Sequence, residues 1–200
     1  MTQPPRTPGH LQVLLIAGFV FLTACSKTDS AATADSAPAT PAEASSEVEE
    51  DLADLSKYQL TMAKYDKYLA AQRSIALKAK SLSPAEKQAM KARQESRDNS
   101  DATLDEMAKN IEAEPMMVAA IRDAGLSARE FAVLTMSIMQ TAMAASVVKM
   151  RPTDNQDSLI REMKANPANV KFFRDNEAAL TKKQQDLEAE MKRLGVDSES

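Results

Sequence analysis

The chain has 200 residues, of which 25 are basic and 29 acidic, and a net charge of −4 at neutral pH. A mildly acidic chain presents no basic field to nucleic acid, so no nucleic-acid partner is expected. The sequence contains one cysteine, one histidine and no tryptophan. A single cysteine cannot form an internal disulfide. Histidine triads, zinc sites and thiol enzymes are built from histidine and cysteine residues, of which this sequence has only one each. We therefore expect no enzyme activity.

Residues 1–24 have the three parts of a secretory signal peptide. Arg6 lies in a leader without acidic residues, and residues 11–22 form an apolar run that only Gln12 and Gly18 interrupt. This run is shorter than the roughly 20 residues that a transmembrane helix needs. Small residues follow it at a cut site, so segment 1–24 is predicted to be removed on export.

The motif Leu22-Thr23-Ala24-Cys25 resembles the lipobox of bacterial lipoproteins. The resemblance implies cleavage between Ala24 and Cys25 and lipidation of Cys25 with diacylglycerol and an N-acyl chain such as palmitate, with no other cofactor. It also accounts for a lone cysteine in an exported chain, and several acyl chains anchor stably to a membrane. Ser26 after the cysteine implies the outer membrane of a Gram-negative envelope, facing the periplasm.

Segment 25–46 is predicted to be a lipid-anchored, disordered linker. After Cys25 it consists of Ala, Ser, Thr and Pro with a few charges and has no large apolar residue. Such a composition cannot bury enough surface to offset the entropy of ordering. As a flexible coil it spans roughly 25 Å, which holds the following domain near the membrane.

Segment 47–200 is predicted to be an all-α domain, a helical bundle of about six or seven helices. Its many Ala, Leu, Met, Lys and Glu residues favour helix. In 47–80, apolar residues recur at a three/four spacing that lines one helix face: Val48, Leu52, Leu55, Tyr58, Met62, Tyr65 and Leu69. Thr61 could N-cap a second start, so this region is either one helix or two.

Three capping patterns mark helix starts farther along the chain. They are Ser83 with Glu86, Thr103 with Glu106, and Ser127 with Glu130. The helix after Ser83 has almost no large apolar residue, which predicts a peripheral position. Gly125 is expected to end the helix that precedes the third pattern.

Residues 131–148 contain no charged side chain and form the predicted core helix. Their length approaches that of a membrane span. Thr135, Gln140 and Ser146 spread polar groups around the helix, however, which favours a bundle core over a second span.

Met136, Met139 and Met143 lie on one face of this helix at positions i, i+3 and i+7. Three thioethers on a face are candidate ligands for a soft ion such as Cu(I) or Ag(I). Methionine also fills irregular gaps in helical cores, and core packing is the interpretation that the apolar surroundings favour. A third alternative is an adaptable groove for an apolar ligand or an unfolded client.

The last helix is predicted to run from Asn166-Pro167 to about Leu194. Its apolar stripe has heptad spacing with two polar members: Val170, Phe173, Glu177, Leu180, Gln184, Leu187, Met191 and Leu194. The two polar residues indicate that the helix extends past the core. A coiled-coil dimer through 167–194 is the alternative, and the oligomeric state is left open.

Two further resemblances concern the domain. Leu82-Ser83-Pro84-Ala85-Glu86-Lys87-Gln88 resembles the short leucine-threonine motif that opens helices in Spy-type periplasmic chaperones. Segments 125–143 and 166–173 are similar to those of small helical bacterial lipoproteins without an assigned activity. We therefore expect a membrane-anchored envelope lipoprotein that serves as a non-catalytic binding or structural module with an envelope protein partner. A chaperone-like or soft-metal-binding protein is the alternative.

Overall fold

The computed structural model describes residues 41–96, 103–152 and 154–196, with side chains from residue 49 onward. The predicted signal peptide and residues 25–40 of the linker lie outside these ranges. All the regular structure in the described ranges is helical, which confirms the all-α class. The helices are α1 Pro41–Lys57, α2 Met62–Ser81, α3 Pro84–Glu95, α4 Leu104–Glu112, α5 Pro115–Asp123, α6 Ala128–Met150, α7 Gln156–Glu162, α8 Pro167–Asp175 and α9 Glu177–Arg193.

These nine helices within the described residues exceed the predicted six or seven. Region 47–80 is two helices, because Thr61 N-caps α2 and accepts a hydrogen bond from Lys64 N. The predicted last helix is also two, because Asn176 ends α8, where its Nδ2 donates to Phe172 O at 2.8 Å. A short amide side chain that bonds to the backbone competes with helix continuation. Residues 41–46, assigned from the sequence to the linker, belong to α1.

Side-chain caps place most of the helix starts where the sequence predicts them. Ser83 and Glu86 form a reciprocal capping box at α3, and Thr103 and Glu106 form another at α4. At α6, Ser127 accepts a hydrogen bond from the backbone of Glu130 at 3.1 Å. Gly125 follows α5 with φ of +71°, a left-handed conformation that suits glycine at a helix end.

The main hydrophobic core lies between α2, α4, α5 and the N-terminal half of α6. The rings of Tyr68 and Phe131 stack within it, with centroids 5.8 Å apart. A second, smaller cluster joins the C-terminal half of α6 to α7 and α8. As predicted, α3 has no buried residue. Its Arg93 donates two hydrogen bonds of 2.9 Å to the buried carboxylate of Glu114.

A polar clamp connects the link between α1 and α2 to helix α8. Asn169 is only 2% exposed. Its Oδ1 accepts a hydrogen bond from Leu60 N at 2.8 Å, and its Nδ2 donates to Tyr58 O, also at 2.8 Å. Asn166 Nδ2 donates to the same carbonyl at 3.0 Å. Two asparagines thus satisfy backbone groups that lie more than 100 residues away in the chain.

Helix α9 lies parallel to α2. Lys183 pairs with Asp66 at 2.7 Å and Glu190 with Arg73 at 2.6 Å, and farther along Lys80 donates to the carbonyl of Leu194. The contacts advance in the same direction along both helices, which fixes their parallel orientation. Of the predicted heptad stripe, Leu180 is buried and Leu187 packs against the main cluster of the same chain. The coiled-coil dimer through 167–194 stays a prediction. In such a dimer, the same stripe would also contact a second copy of the chain.

Candidate functional site

The predicted lipidation and cleavage site, Ala24 and Cys25, lies outside the described residues, so the anchor stays a prediction. The candidates within the described residues are the three methionines of α6. The three methionines differ in how far they are buried. Met136 is partly buried and packs against the main cluster, whereas Met139 is 44% exposed and Met143 57% exposed. The core-packing interpretation is therefore wrong for Met139 and Met143.

A third methionine extends the exposed surface toward the end of α6. Met150 is 73% exposed and follows Met143 by two helical turns. We call Met139, Met143 and Met150 the methionine face. At about 100° per residue, the three side chains project within about 40° of one another. Their common position makes a stripe along the helix.

The opposite side of α6 builds the protein interior. Leu134, Thr141 and Val148 are between 0% and 2% exposed and project away from the methionine face. Phe131, Leu134 and Ile138 belong to the main cluster, while Ala144 and Val148 belong to the second. The C-terminal half of α6 therefore has one buried side and one exposed side.

The neighbouring helices fix the limits of the methionine face. Ala132, which is two turns before Met139 on the same side, is buried in the main cluster, so the uncovered stretch begins after it. On one flank, Gln140 Nε2 donates to Met163 O at 3.3 Å and to Lys164 O at 3.1 Å, which ties α6 to the end of α7. At the end of the helix, Lys149 pairs with Glu177 at 2.7 Å. The face is therefore an exposed stripe of three methionines with polar edges, and exposed Ser146 lies on it between Met143 and Met150.

Helix α6 is the one helix within the described residues that is long and apolar enough to cross a membrane. Half of its most apolar window is buried inside the domain. A buried core helix has the same length and composition as a membrane span, and the packing of α6 against α4, α7 and α8 matches the predicted bundle core.

A cavity of about 430 Å³ lies where α1 meets the start of α6. Arg129, which lines it, donates to Asp54 at 3.1 Å and to Asp105 at 2.9 Å. The Tyr58 hydroxyl is buried there without a hydrogen-bond partner. Burial, together with the negative charge of Glu130, raises the pKa of Tyr58 to about 12. A phenol with that pKa stays protonated near neutral pH and cannot serve there as a base or nucleophile.

The three tyrosines of the chain are expected to titrate abnormally. Burial raises the pKa of Tyr68 to about 12 and also raises that of Tyr65, against a pKa of about 10 in an unfolded chain. Between these values the folded chain holds protons that the unfolded chain releases. The free energy of unfolding should therefore be insensitive to these groups below about pH 10 and fall as the pH rises toward 12.

Ultraviolet titration of phenolate absorbance, in native buffer and in denaturant, measures this shift. The native chain should show little phenolate until it unfolds, while the denatured chain should titrate near pH 10. Native tyrosines that titrate with the denatured midpoint would contradict the burial of these rings.

The sequence did not single out Met150 or the asparagine clamp. Met150 could have been found by extending the methionine spacing by seven residues along the same helix. Asn169 has no such signal, because its partners Tyr58 and Leu60 are distant in sequence. No three His, Cys, Asp or Glu side chains come together as a metal-binding group in the part of the chain that the structure describes.

Comparisons of the chain with protein-family models, with curated proteins and with solved structures found no match. The function is therefore inferred from the geometry of α6 and from the sequence motifs.

Proposed function

We propose that the chain is a lipid-anchored, non-catalytic binding module of the cell envelope, and that the methionine face of α6 is its binding surface. The lipobox at Cys25 and the following Ser26 support an anchor in the outer membrane, facing the periplasm. The scarcity of histidine and cysteine and the pairing of charges in the cavity at Arg129 support the absence of catalysis.

One observation carries the proposal. The structure has four exposed large hydrophobic side chains among its described residues, and three of them, Met139, Met143 and Met150, share one face of one helix. Single exposed apolar residues are common on monomers, but several large exposed apolar side chains on one face are a candidate interaction surface. Methionine is flexible and polarisable, so a surface made of it adapts to the shape of a partner.

The partner that suits this face is an envelope protein that presents an apolar groove. The stripe is narrow, and its anchors recur at i, i+4 and i+11, which matches the way an amphipathic helix meets a groove. The lipid anchor assists this contact because it confines the module to the membrane surface and raises its effective concentration near other envelope components.

In-cell photocrosslinking tests the binding surface directly. A photoreactive residue in place of Met143 should give a discrete crosslinked product in intact cells. The same residue in place of Lys91, an exposed position on α3, is the matched control and should give none. Equal crosslinking at both positions, or crosslinking at 91 alone, would refute the assignment of the surface.

Acyl labelling tests the anchor separately. Cys25→Ser should abolish incorporation of labelled fatty acid and leave the chain unprocessed, whereas the neighbouring Ser26→Ala should retain both labelling and cleavage. Labelling that persists in Cys25→Ser would show that the lipobox assignment is wrong.

The second candidate function is a chaperone-like or soft-metal-binding protein that uses the same helix. The exposure of the Met139 and Met143 side chains favours it, because an ion or an unfolded client can reach them. Met136 packs against the core, which leaves two sulfurs of the predicted three. Titration with Ag(I) or Cu(I), and suppression of aggregation of an unrelated unfolded protein at equimolar ratio, distinguish this candidate from a partner-specific module.

A further inference from the structure

Beyond residue 25, methionine is the main side chain that an oxidant can modify. The single cysteine and the single histidine are at positions 25 and 10, and tryptophan is absent. Twelve methionines occur in the sequence. A two-electron oxidant that reaches residues 26–200 therefore meets thioethers and neither thiol nor indole.

These methionines differ in how far their side chains are exposed to solvent. Met139, Met143 and Met150 are 44%, 57% and 73% exposed. Other methionines are partly buried against the two hydrophobic clusters, and these are Met62, Met107, Met117, Met136 and Met163. Because an oxidant must contact the sulfur to react with it, the oxidant should reach the methionine face before the side chains that pack against the core.

We propose that the methionine face is a surface oxidation site, at which hydrogen peroxide or hypochlorous acid converts Met139, Met143 and Met150 to sulfoxides while the domain stays folded. With hypochlorous acid, one sulfur–oxygen bond forms and the oxygen–chlorine bond breaks. Sulfur loses two electrons, chlorine gains them and leaves as chloride, and the proton of the acid passes to water. Each exposed thioether consumes one equivalent of oxidant.

The fold tolerates this change because these side chains lie outside both clusters. A sulfoxide is polar, and on the methionine face it is solvated by water instead of being forced into an apolar interior. Sulfoxidation at Met107 or Met117 would place the same polar group against the main core. The inference does not depend on a binding partner, since the oxidation rates belong to the chain alone.

Residue-resolved mass spectrometry of the full chain tests the proposal. The purified protein is treated with increasing doses of hypochlorous acid or hydrogen peroxide, and the sulfoxide fraction is measured at each methionine. Met139, Met143 and Met150 should be oxidised faster than the partly buried Met107 and Met117, with helicity unchanged once the three are converted. Oxidation of all methionines at a common rate, or loss of helicity in step with the first three, would overturn it.

Two controls fix the origin of the difference. In denaturant, all methionines should be oxidised at a common rate, because intrinsic thioether reactivity is the same. Combined Met139→Leu, Met143→Leu and Met150→Leu should remove the fast phase, whereas Met107→Leu should retain it. If a variant folds poorly, the oxidation rates of the individual methionines in the unaltered chain still test the proposal. A fast phase that persists in the folded triple variant would refute the site.

Discussion

Asn169→Ala is expected to lower the free energy of unfolding by about 2 kcal/mol, since a buried backbone group left without its hydrogen bond costs roughly 1–3 kcal/mol. Leu60 N loses its acceptor and Tyr58 O loses one of its two amide donors. The side chain is only 2% exposed, so water cannot readily replace it. Urea denaturation followed by circular dichroism measures the loss.

Gln185→Ala is the matched control for this variant. It also removes an amide, but from an exposed position on α9, and should change the free energy of unfolding by less than about 0.5 kcal/mol. A loss below about 1 kcal/mol in Asn169→Ala would show that the clamp between α8 and the α1–α2 link contributes little to the fold.

Leu134→Ala is expected to cost about 3–4 kcal/mol, which lies within the roughly 2–5 kcal/mol for removing a buried leucine side chain and leaving a cavity. Leu134 is 0% exposed and belongs to the main cluster on the buried side of α6. The measurement is again the unfolding free energy from urea titration, with the slope checked for two-state behaviour.

Met143→Ala on the same helix provides the contrast. Its side chain is more than half exposed, so the truncation should cost less than about 0.5 kcal/mol. Similar costs for Leu134→Ala and Met143→Ala would mean that α6 does not have one buried and one open side.

Much of the helix layout could be predicted from local sequence because capping is a local interaction. Ser83 with Glu86 and Thr103 with Glu106 satisfy their helix starts with residues three positions apart. Gly125 ends α5 because its backbone adopts a left-handed conformation. The uncharged stretch 131–148 likewise identified the central helix.

The described residues form somewhat more helices than the predicted six or seven, because side-chain contacts that helical spacing does not reveal also set where helices break. The break at Asn176 depends on whether an asparagine side chain bonds to Phe172 O or to water, which spacing does not show. The pairing of α9 with α2 depends on ion pairs such as Lys183 with Asp66, which are far apart in sequence.

The candidate site could be predicted only in part. The spacing of Met136, Met139 and Met143 showed that they share a face, because helical periodicity is regular. Whether that face is covered depends on where α7 and α8 pack, and an apolar sequence is equally compatible with both outcomes. The exposure of Met139 and Met143 thus required the three-dimensional structure.

Methyl NMR of methionine-labelled protein tests the central claim most directly. A soluble paramagnetic agent broadens the methyl signals that water reaches, and single Met→Leu variants assign them. We predict that Met139, Met143 and Met150 lose intensity first, while Met107, Met117 and Met136 are protected. Protection of Met139 and Met143 to the same degree as Met107 would contradict an open methionine face, and with it the proposed binding surface.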